Sequence, residues 1–216
     1  MTFYGEFETD KAIRTIFPDM NYKGTFIEVG AGRPDFISLS RHFFESGWTT
    51  VGIEANPEFA QMHRAAGRRV IECAVSNYNK DDENFSIFRA TDWAGYAGGV
   101  VTMEAASALK PYPHTAADMG KGIYKYKKDI KVRVRTLDNL FETEIADIKK
   151  VDVISIDVEG GELDVIGGFA KKELYPKVFV IECPYDNRAA LEAATLGAIG
   201  YKLAHKQQIN HFYVKA

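Results

Sequence analysis

The sequence predicts an α/β fold built on a largely parallel β-sheet with helices on both faces. Short β-branched runs alternate with segments of helical periodicity along most of the chain. Runs such as Val178–Ile181 are continuously apolar, which is typical of strands buried on both faces. The chain has 216 residues, of which 46% are hydrophobic, and this is enough for one sizeable core. We therefore expect a single domain spanning residues 1–216.

The first half of the chain alternates helix and strand three times. The expected elements are a helix over 8–17, a strand over 24–29, a helix over 36–46, a strand over 49–53, a helix over 57–66 and a strand over 69–75. Pro57 suits the first turn of the third helix, and Gly67 is a helix stop. Strands connected through helices run parallel and end at one edge of the sheet.

Residues 85–134 interrupt this alternation. Strand patterns at 85–88 and 130–134 enclose a long segment rich in Gly, Ala, Tyr and Lys. A connection of this length inside a compact domain is typical of a lid or binding segment, or of a disordered one. We therefore expect an inserted hairpin or lid at about residues 85–134.

The alternation resumes after residue 136. The expected elements are a short helix over 137–141, a strand over 151–156, a short helix over 162–166, a strand over 178–181, a helix over 187–197 and strands over 201–204 and 209–214. The short gap between the last two strands predicts that they form an antiparallel pair.

Charge and composition exclude several classes of function. The 27 Lys and Arg residues against 30 Asp and Glu residues give a net charge of −3, which argues against a general nucleic-acid binder. No apolar stretch approaches the ~20 residues of a membrane span, and a secretory signal pattern is absent. Cys73 and Cys183 do not make a disulfide framework, and no Cys/His cluster has zinc spacing. We expect a cytoplasmic protein with a small-molecule substrate and without membrane contact.

The ends of the first two strands carry the most interpretable pattern. Glu28 precedes the turn Gly30-Ala31-Gly32, and Glu54 ends the second strand. Ligands of parallel sheets bind beyond these strand ends, where glycines let the backbone approach a ligand closely. A carboxylate at the position of Glu54 can accept hydrogen bonds from both hydroxyls of a ribose. However, Asp35 stands where a dinucleotide-binding fingerprint requires its third glycine.

The other strand ends favour a cationic nucleoside as the ligand. The third strand ends in small residues that suit the face of an adenine ring, and the fourth ends in Asp157 and Glu159. Carboxylates without a neighbouring lysine repel a pyrophosphate but attract a sulfonium and an ammonium group. S-adenosylmethionine is therefore favoured over NAD. Each carboxylate could instead be a solvated strand-end charge, Asp157 or Glu159 could cap the following helix, and Glu182 is interpreted as structural.

Four segments together resemble the FkbM-type S-adenosylmethionine-dependent methyltransferases. They are GTFIEVGAG, GWTTVGIEANPE, RTLDNLF and VDVISIDVEGGELDVIGGF, and the stretch Ile156–Gly168 is the most specific. The resemblance implies a Rossmann-like methyltransferase fold with a seven-stranded, mostly parallel sheet whose last strand is antiparallel. This sequence departs from the family turn at Arg33-Pro34-Asp35, where a later glycine is common.

The resemblance also implies roles for individual residues. Glu28 would orient the methionine ammonium, and Glu54 would hold the ribose. Asp157 and Glu159 would face the methyl-transfer site, and Asp157 would also contact the cofactor. The full set of implied cofactor-binding residues is Glu28, Gly30, Ala31, Gly32, Glu54, Ala55, Ala74, Val75 and Asp157.

The reaction that this family suggests is O-methylation of a hydroxyl on a sugar or a natural-product-like small molecule. Such an acceptor benefits from a general base, for which the candidates are Asp157, Glu159 and His114 of the long loop. The basic and aromatic residues of that loop could bind a nucleotide sugar or a nucleic acid. A Mg²⁺ ion held by carboxylates is possible but not favoured, and no residue is assigned as a metal ligand. The alternatives are a cofactor-binding module without catalysis and an NAD-dependent oxidoreductase.

Overall fold

The computed structural model describes residues 1–90, 103–109, 124–183 and 186–216. The strands in these ranges are β1 (Thr25–Val29), β2 (Thr49–Glu54), β3 (Val70–Glu72), β4 (Ala74–Val75), β5 (Lys80–Ala90), β6 (Met103–Ala108), β7 (Tyr124–Arg135), β8 (Val153–Ile156), β9 (Val178–Glu182), β10 (Tyr201–Gln207) and β11 (Asn210–Lys215). The α-helices are α1 (Thr9–Ile16), α2 (Arg41–Glu45), α3 (Pro57–Ala65), α4 (Leu137–Glu142), α5 (Glu162–Gly167) and α6 (Asp186–Ala198).

The main sheet has seven strands in the order β10-β11-β9-β8-β1-β2-β3. Six of them run in one direction, and β11 is antiparallel to both of its neighbours, β9 and β10. The predicted α/β fold, with its mostly parallel sheet and antiparallel last strand, is confirmed. The order places the carboxyl ends of β2, β1, β8 and β9 side by side at one edge.

Hydrophobic clusters cover both faces of this sheet. Along β1, Ile27 and Val29 join one cluster together with residues of α4, α5 and α6. Phe26 points the other way and packs with Ile13 of α1 and Phe43 of α2. This alternation explains why strands buried on both faces have nearly continuous apolar sequences.

A second sheet, in the order β4-β7-β5-β6, stands beside the first. The prediction of one strand over 69–75 is therefore wrong: β3 pairs with β2, whereas β4 pairs with β7. At the end of β3, the guanidinium of Arg133 donates from Nε and Nη2 to the carbonyl oxygen of Glu72, at 3.2 and 3.1 Å. The chain leaves the main sheet at this point.

The middle of the chain also has more strand than the sequence indicates. The strands predicted at 85–88 and 130–134 extend to Lys80–Ala90 and Tyr124–Arg135, and Met103–Ala108 adds another strand. Antiparallel pairing between β5 and both β6 and β7 sets these lengths, and such long-range pairing leaves little local pattern. The strand β6 was not predicted, and the role of this region as a lid stays a prediction.

Two helix predictions have opposite outcomes. The helix predicted over 36–46 is wrong in its first half, because α2 covers only Arg41–Glu45 and Ile37 has a φ of 48°. The preceding residues instead surround a buried carboxylate, as described below. The start of α3 is confirmed: Asn56 caps the helix by accepting from the backbone N–H of Glu58 at 3.0 Å, and Pro57 occupies the first turn.

The helices of the described ranges are all too short or too polar to cross a lipid bilayer.

Candidate active site

A cavity of about 320 Å³ opens at the carboxyl edge of the main sheet. It lies beyond the ends of β1, β2, β8 and β9, which is where open α/β sheets bind their ligands. The acidic residues that line it are Glu6, Glu28, Glu54, Asp157, Glu159, Asp164 and Glu182. Among the described lining residues, Arg33 is the one basic side chain, and it forms a two-point ion pair with Asp35 at 3.0 and 2.8 Å.

The glycine turn after β1 brings backbone to the floor of the cavity. Gly30 has a φ of 77°, and a Cβ at this position would overlap the backbone carbonyl of Asp157. Gly32 has a φ of 55°, and a Cβ there would meet nothing within 4 Å. The first glycine therefore allows β1 and β8 to approach closely, and the second leaves backbone open to a ligand.

Glu54 is fixed against this turn. Its Oε2 accepts from the backbone N–H of Gly32 at 2.7 Å, and its Oε1 accepts from that of Asn56 at 2.7 Å. Its side chain is 4% exposed, so the interpretation as a solvated strand-end charge is wrong. Burial, with a smaller contribution from the charge of Asp157, raises the pKa of Glu54 to about 7. Each carboxylate oxygen keeps a lone pair for a further donor.

Glu28 is also buried, and its carboxylate faces the segment that precedes α2. It accepts from the backbone N–H groups of Leu39 and Ser40 at 2.8 and 3.4 Å, from the Ser38 hydroxyl at 3.3 Å and from the Ser40 hydroxyl. Arg68 donates to both serine hydroxyls, at 3.1 and 3.3 Å. The solvated interpretation of Glu28 is therefore wrong. These bonds explain why residues 38–40 are not helical.

The opposite wall of the cavity is apolar. Its residues lie in or next to β2, α3 and the second sheet. They are Ala55, Phe59, Ala74, Val75, Tyr78, Phe85 and Leu109. Ala55 and Ala74 belong to the same hydrophobic cluster as Phe85. Such a wall, with small side chains next to a buried carboxylate, suits a flat aromatic ring joined to a ribose.

The loop after β8 is shaped by Glu162. Its Oε1 accepts from the backbone N–H groups of Val158 and Gly160 at 3.3 and 2.9 Å, and its Oε2 pairs with Arg188 at 3.0 Å. Glu159 is thereby held in a left-handed conformation, with a φ of 58°. The residue before α5 is Gly161, with no side-chain cap, so the interpretation of Asp157 or Glu159 as a helix cap is wrong.

Three carboxyl groups meet at the open side of the cavity. Asp157, directly after β8, is exposed to the cavity and lies close to Glu182, at the end of the adjacent β9. The surrounding protein displaces bulk water from these groups, which is the main reason that the pKa values of Asp157, Glu159 and Glu182 are all raised. The charge of Glu162 adds to the shift at all three groups, and the charge of Asp157 adds to it at Glu159 and Glu182. The pair formed by Asp157 and Glu182 can therefore hold or accept one proton near neutral pH.

A family model described as "Methyltransferase FkbM domain" matches residues 28–192. The chain belongs to this family. A search of curated proteins found no match.

A similar solved structure is the methyltransferase FkbM from Methylobacillus flagellatus, with a TM-score of 0.50 and 16% identity. The match covers 89% of this chain and 43% of that one, so this chain spans less than half the length of that protein. A precorrin-6y C5,15-methyltransferase from Geobacter metallireducens matches with a TM-score of 0.42 and 12% identity, covering 94% of this chain and 85% of that one. At these identities, the Methylobacillus structure supports the fold alone.

The residues of this FkbM methyltransferase domain fit S-adenosylmethionine. The adenosine would fit between the open space at Gly32, the carboxylate of Glu54 and the apolar wall. The acidic side chains of the cavity would face the sulfonium and ammonium groups of the cofactor. All nine residues that were predicted to bind the cofactor line one cavity: Glu28, Gly30, Ala31, Gly32, Glu54, Ala55, Ala74, Val75 and Asp157. Of the predicted catalytic residues, Asp157 and Glu159 line it as well, whereas His114 lies outside the described residues.

Several residues of the site carried no clear signal in the sequence. Glu182 was interpreted as structural, yet it lines the cavity beside Asp157. His63 of α3 donates from Nε2 to the carbonyl oxygen of Gly32 at 3.0 Å and so supports the glycine turn. Glu6, from the segment before α1, also reaches the cavity. The register of β8 with β9 brings in Glu182, and the packing of the N-terminal segment brings in Glu6.

Proposed function

We propose that this chain is an S-adenosylmethionine-dependent methyltransferase that methylates a hydroxyl of a small sugar or natural-product-like molecule. The observation that supports this most strongly is the cavity lining: a backbone-anchored carboxylate at the end of β2 lies beside an acidic rim. A pyrophosphate would be repelled there, since Arg33 is already paired with Asp35. This disfavours NAD.

The chain's own residues would bind the cofactor in three parts. Glu54 would accept hydrogen bonds from the ribose hydroxyls, and Ala55, Ala74 and Val75 would cover the adenine. Gly30, Ala31 and Gly32 would present backbone to the methionine portion, whose ammonium would meet the negative field of Glu28. When bound, S-adenosylmethionine supplies an electrophilic methyl group on a positively charged sulfur.

The acidic side of the cavity would serve the acceptor. A protonated Glu182 would donate a hydrogen bond that keeps the neighbouring Asp157 ionised, and Asp157 would take the proton from the acceptor hydroxyl onto a carboxylate oxygen. Glu159 would orient a second hydroxyl of the acceptor. Because the described rim is acidic, we expect a neutral or cationic sugar in preference to a nucleotide sugar, whose phosphates would meet repulsion.

Calorimetric titration with S-adenosylmethionine, S-adenosylhomocysteine and NAD tests the cofactor. We expect the two adenosyl ligands to bind and NAD to bind at least ~10-fold more weakly. Binding of NAD alone would support the oxidoreductase alternative. If S-adenosylmethionine binds but labelled methyl is transferred to none of a broad acceptor panel, the module without catalysis is supported instead.

The acceptor panel should contain matched pairs of neutral sugars and their nucleotide-activated forms, with transfer of labelled methyl as the readout. Higher turnover of the neutral member would support the proposed acceptor class, and the reverse order would contradict it. The same assay with and without added Mg²⁺ tests the less favoured expectation of a metal beside the substrate.

A further inference from the structure

A second group of polar side chains is buried behind the cavity, between β9, α6 and β11. Cys183 follows β9, Glu192 lies in α6, and His211 lies in β11. One ligand atom from each lies within 4.8 Å of the others, and the three side chains are at most 6% exposed. His211 Nδ1 lies 2.9 Å from Glu192 Oε1. None of these residues has a role in the proposed methyl transfer.

The backbone holds the three residues together. The N–H of Cys183 donates to the carbonyl oxygen of Ile209 at 2.7 Å, directly before β11 begins. His211 pairs with Ile181 across the antiparallel ladder of β9 and β11. Because strand side chains alternate, His211 and Tyr213 project to the same face of β11, and their rings lie 6.4 Å apart.

Tyr213 supplies an independent sign that a ligand belongs in this group. It is 1% exposed, and its hydroxyl finds no hydrogen-bond partner of ordinary geometry within the described residues. A buried hydroxyl without a partner is costly, and a bound water or ligand usually satisfies it.

We propose that Cys183, Glu192 and His211 bind a transition-metal ion, with Zn²⁺ as the best match to a thiolate, carboxylate and imidazole set. The fourth ligand would be a water that accepts or donates a hydrogen bond at the Tyr213 hydroxyl. A thiolate, a carboxylate and a neutral imidazole would neutralise a divalent ion, which suits a buried site. Ligand atoms on tetrahedral zinc lie roughly 3.3–3.7 Å apart, so small side-chain rotations would complete the geometry.

Binding would release the thiol proton of Cys183 and leave the imidazole neutral. The ion would tie the end of β9 to α6 and β11 at the residue that follows Glu182. The ion would therefore have a structural role, holding three elements together behind the active site. This proposal does not depend on the cofactor or the acceptor proposed above.

Metal content and cobalt spectroscopy test the site directly. Protein produced in medium containing zinc should carry about one equivalent of Zn²⁺, measured by mass spectrometry of the metal. After the zinc is removed with a chelator, titration with Co²⁺ should produce a thiolate-to-cobalt charge-transfer band and the intense visible bands of four-coordinate cobalt. Zn²⁺ should also raise the thermal unfolding midpoint of the chelated protein.

The chain offers a matched control because it contains only two cysteines, both buried. Cys183→Ser should abolish the charge-transfer band and weaken Co²⁺ binding by more than ~100-fold, whereas Cys73→Ser should keep the band. Tyr213→Phe should weaken binding by roughly 10-fold, as expected for a residue that supports a ligand. If unsubstituted protein contains no zinc and gives no thiolate–cobalt band, the proposal is overturned, and the group is a buried pair of Glu192 and His211. That result does not depend on whether the variants fold.

Discussion

The two halves of the cavity use carboxylates in opposite ways. On the side of β1 and β2, Glu28 and Glu54 accept hydrogen bonds from backbone N–H groups, which fix their positions. On the side of β8 and β9, Asp157, Glu159 and Glu182 lie close to one another, so neighbouring carboxyl groups can share a proton. Burial raises the pKa on both sides, to about 7 for Glu54 as well as for Asp157. The first arrangement suits binding, where position matters most. The second suits proton transfer, because a proton can pass to a carboxyl group that has another beside it.

The largest effect should come from changing the glycine on which both halves depend. Gly30→Ala places a Cβ into the backbone carbonyl of Asp157 and also forces a side chain into a φ of 77°. We expect the free energy of unfolding to fall by about 4 kcal/mol or more, measured in urea.

Gly67→Ala is the control, because Gly67 has a φ of 71° but a Cβ there would meet nothing within 4 Å. Its cost should be about 1–2 kcal/mol, the strain of the left-handed conformation alone. Equal losses in the two variants would show that β1 and β8 do not need the close approach at Gly30.

The second effect concerns the side of the cavity assigned to chemistry. Asp157→Asn removes the proposed base while keeping the size of the side chain. We expect turnover to fall by roughly 10²–10⁴-fold, with S-adenosylmethionine affinity changed by less than ~5-fold. Turnover is measured with labelled methyl and affinity by calorimetry. A parallel loss in both quantities would place Asp157 among the binding residues and remove the contrast between the two halves.

The third effect concerns the binding side. Glu54→Gln removes the charge that is proposed to accept from the ribose, so S-adenosylmethionine affinity should fall by roughly 10–100-fold, or about 1–3 kcal/mol. Glutamine is used because its amide oxygen can still accept from one of the N–H groups of Gly32 and Asn56, whereas alanine would leave both unpaired. Glu72→Gln is a matched control: Glu72 lies opposite Glu54 in the ladder of β2 and β3 but pairs with Arg64 at 2.8 Å. Similar losses in both variants would argue against the ribose assignment.

The binding side was predictable from the sequence because its signals are local. The turn Gly30-Ala31-Gly32 directly follows a strand, and Glu54 ends the next one, so strand periodicity alone brings them to one edge. All nine cofactor residues that the family resemblance implied line the cavity. The capping of α3 by Asn56 is similarly local.

The rest depends on contacts between distant segments. Glu182 joins the site through the pairing of β8 with β9, and Cys183 meets Glu192 and His211 only because β11 inserts beside β9. The helix expected over 36–46 is shortened by a carboxylate on β1, ten or more residues away. The second sheet forms through pairing of β5 with β7 across a long separation. No local periodicity reports such contacts.

The smallest effect should be the part of the pH dependence of cofactor binding that comes from Glu54. Because the pKa of Glu54 is about 7, it is mostly ionised at pH 8 and mostly protonated at pH 6. If the ionised form accepts from the ribose, S-adenosylmethionine affinity should be up to ~10-fold lower at pH 6 than at pH 8. In Glu54→Gln, this part of the dependence should disappear. Titration of Asp157, or of a group on the ligand, would change the affinity of the unsubstituted protein and of Glu54→Gln by the same factor. The difference between the two pH profiles therefore reports Glu54 alone. Identical pH profiles would mean that the Glu54 carboxylate contributes to the fold of the turn but not to ligand binding.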